Sequence, residues 1–186
     1  MGSVIDFEVG AMASLKRRVA EVEEANQDLI AFARGHSGAV SSIHAAVLAA
    51  TEAGSLDHLI HIVTQNWPDI LGLDAVSMAL FVEDAGVRAD ASGVQFVERR
   101  LIERSIEGVD AVVMRGVDRG HPLFGPASEL IRAEALIRLP GDGPLPGGIL
   151  ALGQRRPMGF DNRAGSELLG FLGAMLSRLV ARWLLP

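Results

Sequence analysis

A chain of 186 residues with 49% apolar and 22% charged side chains is long enough to bury a real core and is too apolar to be a disordered segment. Its formal charge of −6 argues against a nucleic-acid partner, because duplex binding rests on a concentrated Lys/Arg face. It has no cysteine, which excludes disulfides, thiolate metal sites, iron–sulfur clusters and a cysteine nucleophile, and fits a cytoplasmic location.

No apolar signal core precedes the first charged helix, and residues 1–11 read as a flexible N-terminus. From Met12 a register begins. Met12, Leu15, Val19, Val22, Asn26, Leu29, Ala33, His36, Val40, Ile43, Val47 and Ala50 follow one another at spacings of three and four. A mean spacing of 3.5 is that of a coiled coil, in which such residues meet a partner helix. Leu15, Val19, Val22, Asn26 and Leu29 are therefore the predicted homodimer seam, with Asn26 at an a position where a buried amide fixes register. Beyond Ala33 the same pattern suits a helix packed on its own domain. Gly35 and Gly38 bracket His36, and each costs about 1 kcal/mol in a helix. The expectation is one bent helix or two helices meeting there, with a dimerisation helix over 12–36 and a globular body over 37–186.

Gly54 suits a helix end, and Ser55 or Asp57 can cap a further helix carrying Leu59, Ile62, Val63 and Trp67. The stretch from Asp74 alternates strictly, with Val76, Met78, Leu80 and Val82 against Ser77, Ala79 and Phe81, as a half-buried strand does. Arg88 to Gln95 is weakly patterned and holds at most a short strand. Phe96 to Gly108 reads as a short helix with Val97, Leu101 and Ile106 inward, and Asp110 to Gly116 as a strand. A loop over His121–Pro126 and a short helix over Ala127–Arg132 come next. Ala135, Ile137 and Leu139 then mark one face of a strand, and a turn-rich connection leads to a return strand from Gly148. The closing helix carries a wide apolar stripe that includes Leu172, Met175, Leu179 and Trp183. Such a stripe can cover a sheet and also meet a partner chain, so Met175 and Leu179 join the predicted dimer interface. Gly165, Gly170 and Gly173 would admit a neighbouring backbone. Arg178 and Arg182 within the apolar run speak against a membrane span.

Chemical motifs are sparse. Gly148-x4-Gly153 is followed by Gln154-Arg155, where a phosphate loop needs Gly-Lys-Ser/Thr directly before a helix. His58 and His61 have a metal-compatible spacing with no third ligand beside them. No Gly-x-Ser-x-Gly elbow occurs. Neither a catalytic residue, a metal nor a cofactor is predicted.

Helices followed by a strand hairpin and a closing helix indicate an α+β fold with an antiparallel sheet, and this order is that of a GAF domain. Leu150-Ala-Leu-Gly153, Pro157, Phe160, Gly165-Ser166, Leu168-Leu169, Phe171-Leu172-Gly173 and Arg182-Trp183 resemble the GAF-like proteobacterial family catalogued as domain of unknown function 484. That family also tends to carry an N-terminal coiled-coil-like helix. The resemblance implies a GAF-like sheet flanked by helices, and no assigned activity. Without cysteine, the GAF chemistries of bilin attachment and sulfoxide reduction are excluded. A GAF pocket lies between the sheet and short helices on one face, which makes Arg132 and Arg138 candidate contacts for an anionic small-molecule ligand. The expected protein is a non-enzymatic, homodimeric sensing module that passes its signal to an unknown protein partner. The alternative is a ligand-free scaffold with a closed core.

Overall fold

The heptad-patterned stretch contains no proline, and in the computed structural model it forms a single helix, α1 (Ser3–Thr51). The structure describes residues 3–82, 84–141, 147–157 and 163–184, leaving out the side chains of 3–15, 28–29, 31–34, 36 and 163–164. The chain divides into two compact units, Met1–Val40 and Ser41–Pro186.

In the first unit α1 runs through Gly35 and Gly38 without interruption, so the alternative of two helices does not form. Two glycines at about 1 kcal/mol each weaken the helix without ending it. Val19 and Val22 are 49% and 68% exposed, and Asn26 is exposed beside them. The side chains of Leu15, Leu29 and His36, which share that register, lie outside the described residues.

The second unit is built on six strands: β1 (Ala75–Val82), β2 (Ala85–Asp90), β3 (Gly93–Val97), β4 (Val112–Gly116), β5 (Ala133–Leu139) and β6 (Gly148–Gln154). They form one sheet in the order β3-β2-β1-β6-β5-β4, and every pairing is antiparallel. The fold is thus α+β, an antiparallel sheet flanked by helices. The helices are α2 (Leu56–His61), a π turn (Ile62–Asn66), α3 (Trp67–Leu71), α4 (Arg99–Ile106) and α5 (Arg163–Leu184), with 3-10 turns over Pro122–Leu130. Ser55 caps α2 by accepting the His58 N–H at 3.1 Å. The π turn has a local cause. Pro68 lacks the N–H that an α-helix would give to Thr64, and its ring crowds that carbonyl. The Trp67 N–H is accordingly donated to Ile62 O, five residues back.

Each face of the sheet has its own core. On one face Val76, Met78, Leu80, Ile137 and Leu150 pack against Ile43 and Ala46 of α1, Trp67 of α3, and Leu172, Leu176 and Val180 of α5. The buried Trp67 indole N–H finds its acceptor in Ala46 O at 3.0 Å, satisfying a polar group that would otherwise cost free energy. At Gly173 an added Cβ would lie 2.6 Å from Ile137 Cγ2, so this glycine does let α5 close onto β5. On the opposite face Ala79, Leu136, Ile149 and Ala151 pack under Ile102 of α4 and under Leu123, Phe124 and Ile131.

This two-sided burial corrects the half-buried reading of β1, whose residues 76–80 are all buried. Ser77 and Ala79 look like an outer face only because they are small. Residues 85–97 hold two strands rather than one at most, with β3 an exposed edge. In α4 the buried residues are Ile102 and Ser105, with Ile106 packed on the same core, while Leu101 is half-buried. The stretch read as a loop and a helix is one run of 3-10 turns with a non-helical kink at Gly125, where two prolines and a glycine prevent regular α-helix. Among the described residues no helix is long and apolar enough to cross a membrane.

Candidate functional site

Alternation along β5 turns Ala135, Ile137 and Leu139 toward the helical core, which puts Glu134, Leu136 and Arg138 on the other face. Glu134 is completely buried. A lone buried carboxylate is costly, and here both oxygens are engaged. The β4–β5 register sets Arg115 directly opposite Glu134. Glu134 Oε1 accepts from Arg115 Nε at 2.8 Å and lies 2.7 Å from Nη2. Its Oε2 accepts the His121 backbone N–H at 2.7 Å. One carboxylate therefore fixes a guanidinium and the loop that carries a histidine.

The His121 ring is oriented in turn. Its Nδ1 accepts the Leu123 N–H at 3.2 Å, so the neutral ring carries its proton on Nε2 and offers a donor there. Burial pushes the His121 pKa below the ordinary 6.5, while the Glu134 charge raises it and Arg115 lowers it.

Beside this clamp is a cavity of about 310 Å³ bounded by Arg104, Ser105, Glu107, Val109, Arg115 and His121, with Val113 and Leu136 in its wall. A more open hollow of about 540 Å³ adjoins it and shares Arg104, Glu107, Gly108 and Val109, adding Arg100, Glu103, Asp110 and Arg138. Among the described residues Arg104 makes no ion pair. The Ser105 hydroxyl is occupied, donating to Leu101 O at 2.6 Å.

The centre of the same face is filled by the protein itself. An added Cβ at Gly86 would lie 2.6 Å from Ile102 Cδ1, and one at Gly153 would lie 2.8 Å from Ile131 Cδ1 and 3.0 Å from the Phe124 ring. Large side chains thus sit in notches left by glycine, where a GAF pocket was expected to open.

A third cavity, of about 300 Å³, opens at the start of β1 among Thr64, Ser77, Asp90, Ser92, Phe124 and Arg155. Asp90 Oδ2 lies 3.1 Å from Arg88 Nη2, both side chains being nearly buried. Arg88 Nη2 donates to Gln95 Oε1 at 2.7 Å, and the Asp90 Oδ1 accepts the Ser92 N–H at 2.8 Å and the Ser92 hydroxyl. Asp90 is thereby engaged within its own turn.

The two arginines chosen from sequence separate. Arg138 borders the open hollow. Arg132 does not border any of these cavities; its Nη1 donates to Glu129 O at 2.8 Å and Ile131 O at 2.9 Å. Met175 and Leu179 are half-buried on α5, and Leu179 packs on the helical core. Arg104, Arg115, His121 and Glu134 went unmarked; the bonds that join the last three span 13 to 19 residues of sequence, and Arg104 stands in no short motif. One signal was present: an acid between alanines inside an apolar strand. Gly148–Gln154 is strand β6, as expected for a run that is not a phosphate loop, and Arg155 donates its backbone N–H to Asp74 Oδ2 at 2.8 Å, with its Nε 3.7 Å from Oδ1. His58 uses its Nδ1 to accept the Gly54 N–H at 3.3 Å, and among the described residues no three His, Asp or Glu side chains group as a metal site.

The fold resembles solved GAF structures. The GAF domain of a phosphoenolpyruvate-protein phosphotransferase from Coxiella burnetii aligns over 79% of this chain and 95% of its own, with a TM-score of 0.56 and 14% identity. Free methionine-R-sulfoxide reductase from Neisseria meningitidis aligns over 74% of this chain and 85% of its own, with a TM-score of 0.52 and 17% identity. A bacteriophytochrome from R. palustris aligns over 76% of this chain with a TM-score of 0.53 and 14% identity, and the match spans only 37% of that longer protein. At such identities the likeness is one of fold. No curated protein matches the chain in sequence. The family described as "Protein of unknown function, DUF484" matches residues 1–185, and the chain belongs to that family.

Proposed function

We propose that this protein is a non-enzymatic, homodimeric GAF-type module of the cytoplasm that receives a small-molecule signal and passes it to a separate protein partner. The observation that carries the reading is the exposed seam of α1. Val19, Val22 and Ile30 are 49%, 68% and 44% exposed, and the two valines share a 3.5-residue register with Asn26. A second copy would cover them. On α5, Phe171 is 47% exposed one turn before the half-buried Met175, which gives a second surface for the same partner. Support for a non-enzymatic role comes from the cavity groups. Both Glu134 oxygens and His121 Nδ1 are engaged by internal donors, so neither group stands ready as a general base.

Light scattering on the full chain at micromolar concentration tests this. The expected result is the mass of two chains, and a Val19→Glu/Val22→Glu pair reduces it to one while circular dichroism keeps its helical signal. A single-chain mass for the unaltered protein sinks the dimer.

A second reading, a scaffold that takes no ligand, is favoured by Ile102, Phe124 and Ile131 filling the centre of the ligand face. Native mass spectrometry of freshly purified protein separates the two. Release of a stoichiometric small molecule supports sensing, and a dimer with nothing bound that still captures one protein partner supports the scaffold.

A further inference from the structure

We propose that the cavity between α4, β4 and β5 is a binding site for a small anion, a carboxylate or phosphate group carried on a metabolite-sized molecule, with Arg104, Arg115 and His121 as its donors. Three features of different kinds converge there. The first is charge. Arg104 borders both hollows and is without an ion pair among the described residues. The second is preorganisation. Arg115 spends Nε and Nη2 on the fully buried Glu134, which leaves Nη1 available and holds the guanidinium plane fixed. His121 is anchored through its backbone N–H and through Nδ1, which leaves the Nε2 proton for an outside acceptor. Donors held this way lose little entropy when an acceptor arrives.

The third feature is space. A cavity of about 310 Å³ lies at the small end of ligand sites, which run from roughly 300 to 1,000 Å³. Val109, Val113 and Leu136 back the cavity but present little surface to it, so its lining is mainly polar and suits the charged group more than a carbon chain. The larger hollow sharing Arg104 is mixed in charge, with Arg100 and Arg138 facing Glu103 and Asp110, so the attraction for an anion is confined to the smaller cavity. Glu107 borders both spaces and sets a limit: it disfavours a highly charged anion and tolerates a ligand with one acidic group.

The test is isothermal titration of the full chain with inorganic phosphate and, separately, with acetate, in chloride buffer at constant ionic strength. Saturable one-site binding in the millimolar range or tighter is expected for at least one probe, and the His121 ring resonances should move with the same half-saturation in NMR. Arg104→Gln should weaken binding about tenfold, the usual worth of a charge-assisted hydrogen bond. Arg132→Gln, whose side chain is tied to backbone carbonyls outside the cavity, should leave it unchanged. No saturable binding of either probe overturns the site. So does equal loss in Arg104→Gln and Arg132→Gln, which would mean attraction to net charge alone. The dimer mass by light scattering is independent of this result, so failure of the anion site and failure of the dimer reading remain distinguishable.

Discussion

The two faces of the sheet differ in what they bury. The face toward α3, α5 and the end of α1 is largely apolar; the buried Trp67 indole is satisfied by a neighbouring carbonyl, while the buried Ser177 hydroxyl of α5 has no hydrogen-bond partner among the described residues. The face toward α4 and the 3-10 turns combines small strand residues, glycine notches, a buried carboxylate and three cavities at or beside it. The first is arranged for stability. The second carries groups whose hydrogen bonds position other groups, a cost in desolvation that a purely structural layer would avoid. The buried, fully hydrogen-bonded acid stands beside a hollow lined by both arginines and acids.

Substitutions on the two faces should separate these roles. The largest effect belongs to the helical side. Trp67→Ala removes the largest fully buried side chain and its bond to Ala46, and should cost about 3–5 kcal/mol in urea unfolding without altering anion binding in whatever population stays folded. Glu134→Ala should cost less, about 1–3 kcal/mol, because the Arg115 side chain is 51% exposed and can recover water. Its effect on the cavity should be of similar size: with the guanidinium and the His121 N–H released, anion affinity should fall about tenfold, or about 1.4 kcal/mol, read by the same titration. A stability loss with unchanged affinity would make Glu134 a structural residue and erase the contrast between the faces.

Much of the fold was legible in the sequence because period and punctuation agree there. The helix of α1, the Ser55 cap, the alternation of β1 and β5 and the β5–β6 hairpin all follow from local spacing. Local spacing cannot report what lies on the second side of a strand. Ser77 looked solvent-facing, yet its hydroxyl donates to Leu123 O at 2.7 Å across 46 residues. The edge strand β3 gave almost no pattern because Val94 and Phe96 remain 53% and 85% exposed, so no core selects their neighbours. The candidate site was harder still. Arg138 was chosen for its place on β5 and does border the open hollow, but Arg132 beside it turns to its own backbone. Arg115 and His121 owe their roles to strand register and to one buried acid, and neither is written in any short window of sequence.

The smallest effect expected is also the most specific, because it reads the clamp without removing it. Burial lowers the His121 pKa below 6.5, so as the pH falls below 6.5 the unfolded chain takes up a proton that the folded ring resists. Stability from this group is therefore complete above pH 6.5. It declines between 6.5 and the lowered folded value, and changes no further below that value. The slope cannot exceed about 1.4 kcal/mol per pH unit, and a partly accessible ring beside Glu134, whose charge opposes the shift, should fall well short of that. His121→Gln should remove this slope, so that urea midpoints of variant and parent converge on acidification through that window. If they stay parallel, the ring is free to protonate in the folded protein. It would then reach the cavity as a cation, and anion binding should strengthen as the pH falls instead of remaining level through the same range.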